Sequence, residues 1–277
     1  MIDALTEPWT MPFMRDALTA SVVAAVVCAL ISCWIVLIGW SLMGDAISHA
    51  VLPGVVLSYV IGLPFAVGAV VFGFGAVGLI GAVRTNRRIK SDAAIGIVFT
   101  TLFALGLVLV SVVPSQTDLG HILFGNVLGV AGSELVQLCV LAALVTVILL
   151  VRRRDLTLVA FDPIHAHTIG LRPKWTRALL LALLALTCVI ALQIVGVILV
   201  VAMLIVPGST ARLLTDRFGT MLLIAPTIAA VTTVTGLYCA YWFDVAPGGM
   251  VVLAQGAVFA LVWLLEPRHG LVASLRR

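Results

Sequence analysis

A carboxylate and an imidazole stand four residues apart in Gly44-Asp45-Ala46-Ile47-Ser48-His49-Ala50-Val51-Leu52-Pro53-Gly54. On a helix, that spacing puts Asp45 and His49 on one face, a turn from each other. An oxygen donor beside a nitrogen donor suits a borderline or hard divalent cation such as manganese, iron(II) or zinc, whereas copper(I) calls for thiolates or thioethers. The competing use of the same residues is local: Asp45 caps the first turn behind Gly44, and His49 simply pairs with it. Capping does not explain why His49 lies a full turn further along. Pro53 has no N–H and clashes with the preceding turn, so a helix break is expected beside the pair, with Gly54 easing close approach. Broken helices at membrane depth are where transporters build ion sites. Two donors do not complete a coordination sphere. Gln193, Ser48, His121 and Glu134 are candidates for the rest, alongside backbone carbonyls, water or a second copy of the chain, although each reads first as a helix-end or loop polar residue.

A second segment, Ala160-Phe161-Asp162-Pro163-Ile164-His165-Ala166-His167-Thr168-Ile169-Gly170-Leu171, carries its own start and stop signals. Asp162 suits an N-cap, Pro163 the first turn and Gly170 the position past the end, which together specify one short helix. Such a helix is marginal in water without a packing partner. It either rests on the membrane surface or docks a soluble protein. His165 and His167 are two residues apart, fall on different faces and make a poor chelating pair.

The elements that must hold these residues are set by composition. Of 277 residues, 62% are apolar and 10% charged, far from the roughly 25% charged typical of soluble domains. Apolar runs of about 20 residues are long enough to cross a hydrocarbon core, where backbone polar groups are satisfied only in helices or closed barrels. The runs at 17–39, 44–62, 64–83, 93–113, 134–151, 175–194, 196–213, 219–242 and 250–265 are too long and too uniformly apolar for barrel strands. The expectation is an all-α polytopic membrane bundle of eight to nine transmembrane helices, residues 1–277 forming a single transmembrane domain with a short cytoplasmic helix at 161–170. If the spans alternate, the basic segments 84–90, 152–177, 212–217 and the tail share one side, which then holds every Lys and Arg except Arg15. The positive-inside rule makes that side cytoplasmic, with the C-terminus inside and the N-terminus outside. No basic patch precedes the first apolar stretch, so that span is expected to stay attached. Segment 122–132 is too short to cross and is expected to be a surface or re-entrant piece. Cys28, Cys33, Cys139, Cys188 and Cys239 all lie in apolar runs and suggest neither a disulfide framework nor a thiolate cage.

Several chemistries have no motif here. There is no Gly-x-x-x-x-Gly-Lys-Ser/Thr loop, and neither Lys90 nor Lys174 follows a glycine, so this chain is not expected to hydrolyse nucleotide itself. Metalloprotease, nucleophile-elbow and voltage-sensor patterns are missing as well. The basic loops match no nucleic-acid module. Residues alone leave three readings open: a metal permease, an ion-gradient-driven secondary transporter or channel using Asp45 and His49 as a proton or ion relay, and a membrane anchor.

The segment Gly44 to Gly54, Asp92-Ala93-Ala94-Ile95-Gly96-Ile97, His121-Ile122-Leu123-Phe124-Gly125-Asn126, Phe161-Asp162-Pro163 and Val195-Gly196-Val197-Ile198-Leu199-Val200 running on to Ala211-Arg212-Leu213-Leu214-Thr215-Asp216-Arg217 together resemble the permease subunits of bacterial ABC importers for manganese, zinc and iron. The likeness runs in order from about residue 8 to 265. It implies a homodimeric permease in the bacterial cytoplasmic membrane, bound to a cytoplasmic ATPase dimer that alone handles ATP, and fed by an extracytoplasmic metal-binding protein. No covalent cofactor is implied, and the cargo is manganese, or else iron or zinc. Asp45 and His49 would contact the metal, and Phe161 to Gly170 would be the coupling helix that enters a groove on the ATPase. The Ala46, Ala50 and Leu52-Pro53-Gly54 version of the motif is more like the manganese and iron branch. Arginines usual in that family between the first two spans are replaced here by Ile38-Gly39-Trp40.

Overall fold

The computed structural model describes residues 10–84, 88–112 and 129–266. Twelve helices follow in order: α1 (Pro12–Ile38), α2 (Ser41–Ala50), α3 (Leu52–Ile61), α4 (Phe65–Val83), α5 (Ser91–Val112), α6 (Gly132–Val151), α7 (Arg153–Phe161), α8 (Pro163–Thr168), α9 (Pro173–Val195), α10 (Val197–Leu214), α11 (Phe218–Phe243) and α12 (Pro247–Leu265). With α2 and α3 taken together as Ser41–Ile61, nine helices among the described residues are long and apolar enough to cross a membrane. No strand occurs among the described residues. The protein is an all-α polytopic membrane bundle.

Helix α1 is the core post. It is buried along most of its length and packs against α6, α7, α9, α10 and α11. Its buried positions are rich in small side chains: Ala17, Ala20, Ser21, Ala24, Ala25, Cys28, Ala29, Ser32 and Cys33. Lipid supplies no hydrophobic drive for helix association, so small residues that let backbones approach are what hold such a bundle. At one crossing the Gly208 N–H of α10 donates to Ser32 Oγ at 3.1 Å. Outer helices α4, α5, α6 and α12 bury few residues and turn Leu79, Val108, Val147 and Leu253 outward. This apolar outer surface is suited to acyl chains.

The second span is interrupted where Pro53 predicts. Helix α2 ends at Ala50, Val51 forms a turn with φ −73° and ψ −24°, and α3 starts at Leu52. Pro53 withholds the N–H that would otherwise close onto the His49 carbonyl; ordinary bonding resumes with Val55 N–H to Val51 O at 3.2 Å. Two glycine contacts clamp the segment beyond the break. Gly54 of α3 and Gly68 of α4 meet backbone to backbone, and the Gly68 N–H donates to Ser58 Oγ at 3.0 Å. On the other side, Gly106 of α5 lies so near Leu52 that a Cβ there would stand 2.9 Å from its side chain.

Helix α7 is the element that the apolar pattern did not mark. Its charged opening, Arg153-Arg154-Asp155, reads as loop, yet Leu156 and Val159 are buried and Trp34 Nε1 donates to Thr157 Oγ1 at 3.2 Å. Tertiary packing against α1 and α9 stabilises a nine-residue helix that has little intrinsic stability alone.

Candidate functional site

Asp45 and His49 do meet, with Nε2 at 3.3 Å from Oδ1. Helix α2 lies beside α5, α9 and α10. At about 1.5 Å per residue, His49 stands roughly 13 Å along the span from Trp40 and 18 Å from Ile61, with Asp45 one turn nearer Trp40. The two side chains stay 33% and 23% exposed in the single chain. Neighbouring Ser48 points elsewhere: it is buried, and its hydroxyl donates to the Gly44 carbonyl at 2.9 Å.

Two phenylalanines complete the surroundings of the imidazole. Phe99 and Phe103, a turn apart on α5, place their ring centroids 5.3 and 5.0 Å from that of His49, the second in an edge-on arrangement at 77°. Sequence reasoning missed both. In an apolar span, phenylalanines four residues apart look the same whether they face lipid or a neighbouring helix.

The other candidate ligands take different places. Gln193 is exposed on α9, and among the described residues no hydrogen bond joins it to the pair. Glu134 accepts from the Ala131 N–H at 3.1 Å, a capping contact at the start of α6. His121 lies outside the described residues. Among the described residues, no three His, Cys, Asp or Glu side chains come together as a metal cluster. Among the described residues, Asp45 and His49 are the two side chains brought together at this position, and a full coordination sphere needs further donors.

Near the foot of α2 an arginine from the next span packs against the linker. Gly39 takes a left-handed conformation at φ 77° to end α1, and the Trp40 ring lies 5.1 Å beneath the guanidinium of Arg84 from the end of α4. A cation over an indole face is attractive, so the end of α4 brings a positive charge to the first turn of the helix that carries Asp45.

The segment after α7 folds as its signals suggest. Asp162 Oδ1 accepts from the N–H groups of Ile164 at 3.0 Å and His165 at 2.9 Å, and Gly170 turns the chain at φ 89°. Helix α8 seats Ala166 inward, fully buried, while Ile164 is 78% exposed and Phe161 59% exposed. His165 and His167 are exposed too. Ile164 and Phe161, with Ile169, present exposed apolar surface in this segment.

Comparisons with known proteins agree on one family. The model of the ABC 3 transport family matches residues 10–266. The manganese transport system membrane protein MntB of Synechocystis is 49% identical over 270 residues, covering 98% of this chain and 88% of the relative. A probable iron transport system membrane protein of Haemophilus influenzae is 48% identical over 262 residues, covering 94% and 96%. Among solved structures, PsaBC from Streptococcus pneumoniae in complex with Fab superposes with a TM-score of 0.90 at 38% identity, covering both chains completely.

Proposed function

Since the chain belongs to the ABC 3 transport family, as a permease subunit, we propose that it carries a divalent transition metal into the cytoplasm by alternating access, manganese before iron or zinc. The observation that carries this reading is the Asp45 and His49 pair, 3.3 Å apart beside the broken turn of α2 and α3. A carboxylate oxygen and an imidazole nitrogen suit manganese, iron(II) and zinc, and relatives named for manganese and for iron support those two metals. Each protomer supplies a half-site, with Asp45 and His49 of two copies facing one path. Water and backbone carbonyls are further oxygen donors. Gln193, Glu134 and His121 stay outside this core set.

The remaining parts of the reading concern partners and placement. The sequence has no phosphate-binding loop, so ATP is handled by a cytoplasmic ATPase dimer, and an extracytoplasmic metal-binding protein delivers the ion. The setting is the bacterial cytoplasmic membrane, with the C-terminus inside and the N-terminus outside. Helix α8, with Ile164 and Phe161 presented outward, seats in the ATPase and transmits its motion; Ala166 anchors α8 to the permease rather than to the partner. Ile164→Asp places a charge in that contact and should weaken ATPase association about tenfold or more, measured by co-purification and titration of the ATPase onto the membrane complex. Unchanged association would remove α8 as the docking element.

The direct test is uptake into liposomes holding permease, ATPase and binding protein, with labelled manganese, iron(II) and zinc compared side by side. ATP-dependent accumulation with manganese fastest is expected. Uptake indifferent to ATP but following an imposed ion gradient would overturn the reading.

A further inference from the structure

The His49 ring has neighbours that the donor set does not require. Phe99 and Phe103 lie 6.1 Å apart in a near-parallel stack at 25° and both contact the imidazole, while Asp45 meets its Nε2. Edge-on and tilted ring contacts have preferred geometry, because the electron-rich face of one ring attracts the positive edge of another. They therefore restrain the rotation of His49 about its side-chain torsions. The register of α5 is itself held by the close approach of Gly106 to Leu52, two turns beyond Phe99.

We propose that Phe99 and Phe103 are positioning residues for the transported cation: the two rings hold the His49 imidazole with Nε2 turned to Asp45, so that the ion meets an oxygen and a nitrogen already side by side. The inference rests on the metal reading of the pair. An imidazole left free to rotate has to be ordered when the ion arrives, and that entropy is subtracted from binding. The aromatic pair removes the cost beforehand.

The test uses the purified permease with its ATPase, titrated with manganese(II) while the free aqua ion is followed by its paramagnetic resonance. Phe99→Leu and Phe103→Leu keep apolar bulk and remove the ring; each should weaken manganese binding by about 3- to 10-fold. Phe99→Tyr and Phe103→Tyr keep the ring and should restore affinity to within about twofold. A packing role alone would not separate leucine from tyrosine in this way. Leucine variants that bind manganese like the parent, while Asp45→Ala binds none, would overturn the clamp and leave the metal pair standing. Manganese binding undiminished in both Asp45→Ala and His49→Ala would bring down the metal reading and the clamp together.

Discussion

Asp45→Ala and His49→Ala each lower manganese uptake by about 100-fold or more, with the complex still assembled and its ATPase still binding nucleotide. The size follows from the donor arithmetic: among the described residues, one chain brings two side-chain donors together at this position, and each substitution halves that number in both protomers of a dimer. The specificity follows from the packing. Both side chains are partly exposed, and the contacts found for them are with each other and, for His49, with Phe99 and Phe103. Truncating either one opens no large core cavity, so the fold should survive where transport does not. Uptake is to be measured in liposomes against the parent complex, with ATPase content checked in the same sample. More than about a tenth of parental uptake by both variants would exceed what loss of a metal ligand allows, and would remove Asp45 and His49 from the path.

The second large effect belongs to a residue with no chemistry. Gly68→Val should destabilise the permease by about 3 kcal/mol and abolish transport. Any Cβ on Gly68 falls inside the Gly54 carbonyl and the Ser58 hydroxyl, and the first of these is backbone that cannot rotate away. The α3 and α4 axes would have to separate, losing the Gly68 N–H to Ser58 Oγ bond and shifting the break that follows His49. In detergent the unfolding midpoint should fall by roughly 6–12 °C. Gly75→Ala and Gly78→Ala supply the control on the same helix. Nothing lies within 4 Å of a Cβ at either position, so both should be neutral or slightly stabilising through helix propensity. A Gly68→Val protein as stable as these controls would show that the crossing is not tight.

Much of the architecture was legible before folding because lipid is a simple solvent. Backbone groups there are satisfied only in helices or closed barrels, and a run as long and uniformly apolar as 64–83 excludes a barrel strand; the structure has it as a helix at Phe65–Val83. Other boundaries moved slightly: the first span starts at Pro12 rather than 17, and the last at Pro247 rather than 250. Local punctuation was equally readable, as with Asp162 and Gly170 around α8. Helix α7 was not, since its stability is tertiary.

What the residues by themselves determined is that a carboxylate and an imidazole share a helical face beside a proline break, within a bundle of membrane-spanning helices. Those are consequences of covalent geometry, helical period and hydrophobicity, which act within one segment. Only the tertiary structure decided that Phe99 and Phe103 face His49 and that Arg84 leans on Trp40. The physical reason is that an all-round apolar helix carries no mark of which side faces lipid and which faces protein. Rotation and register are set by close crossings such as Gly54 on Gly68 and Ser32 on Gly208, and these are properties of pairs of helices that no single segment contains.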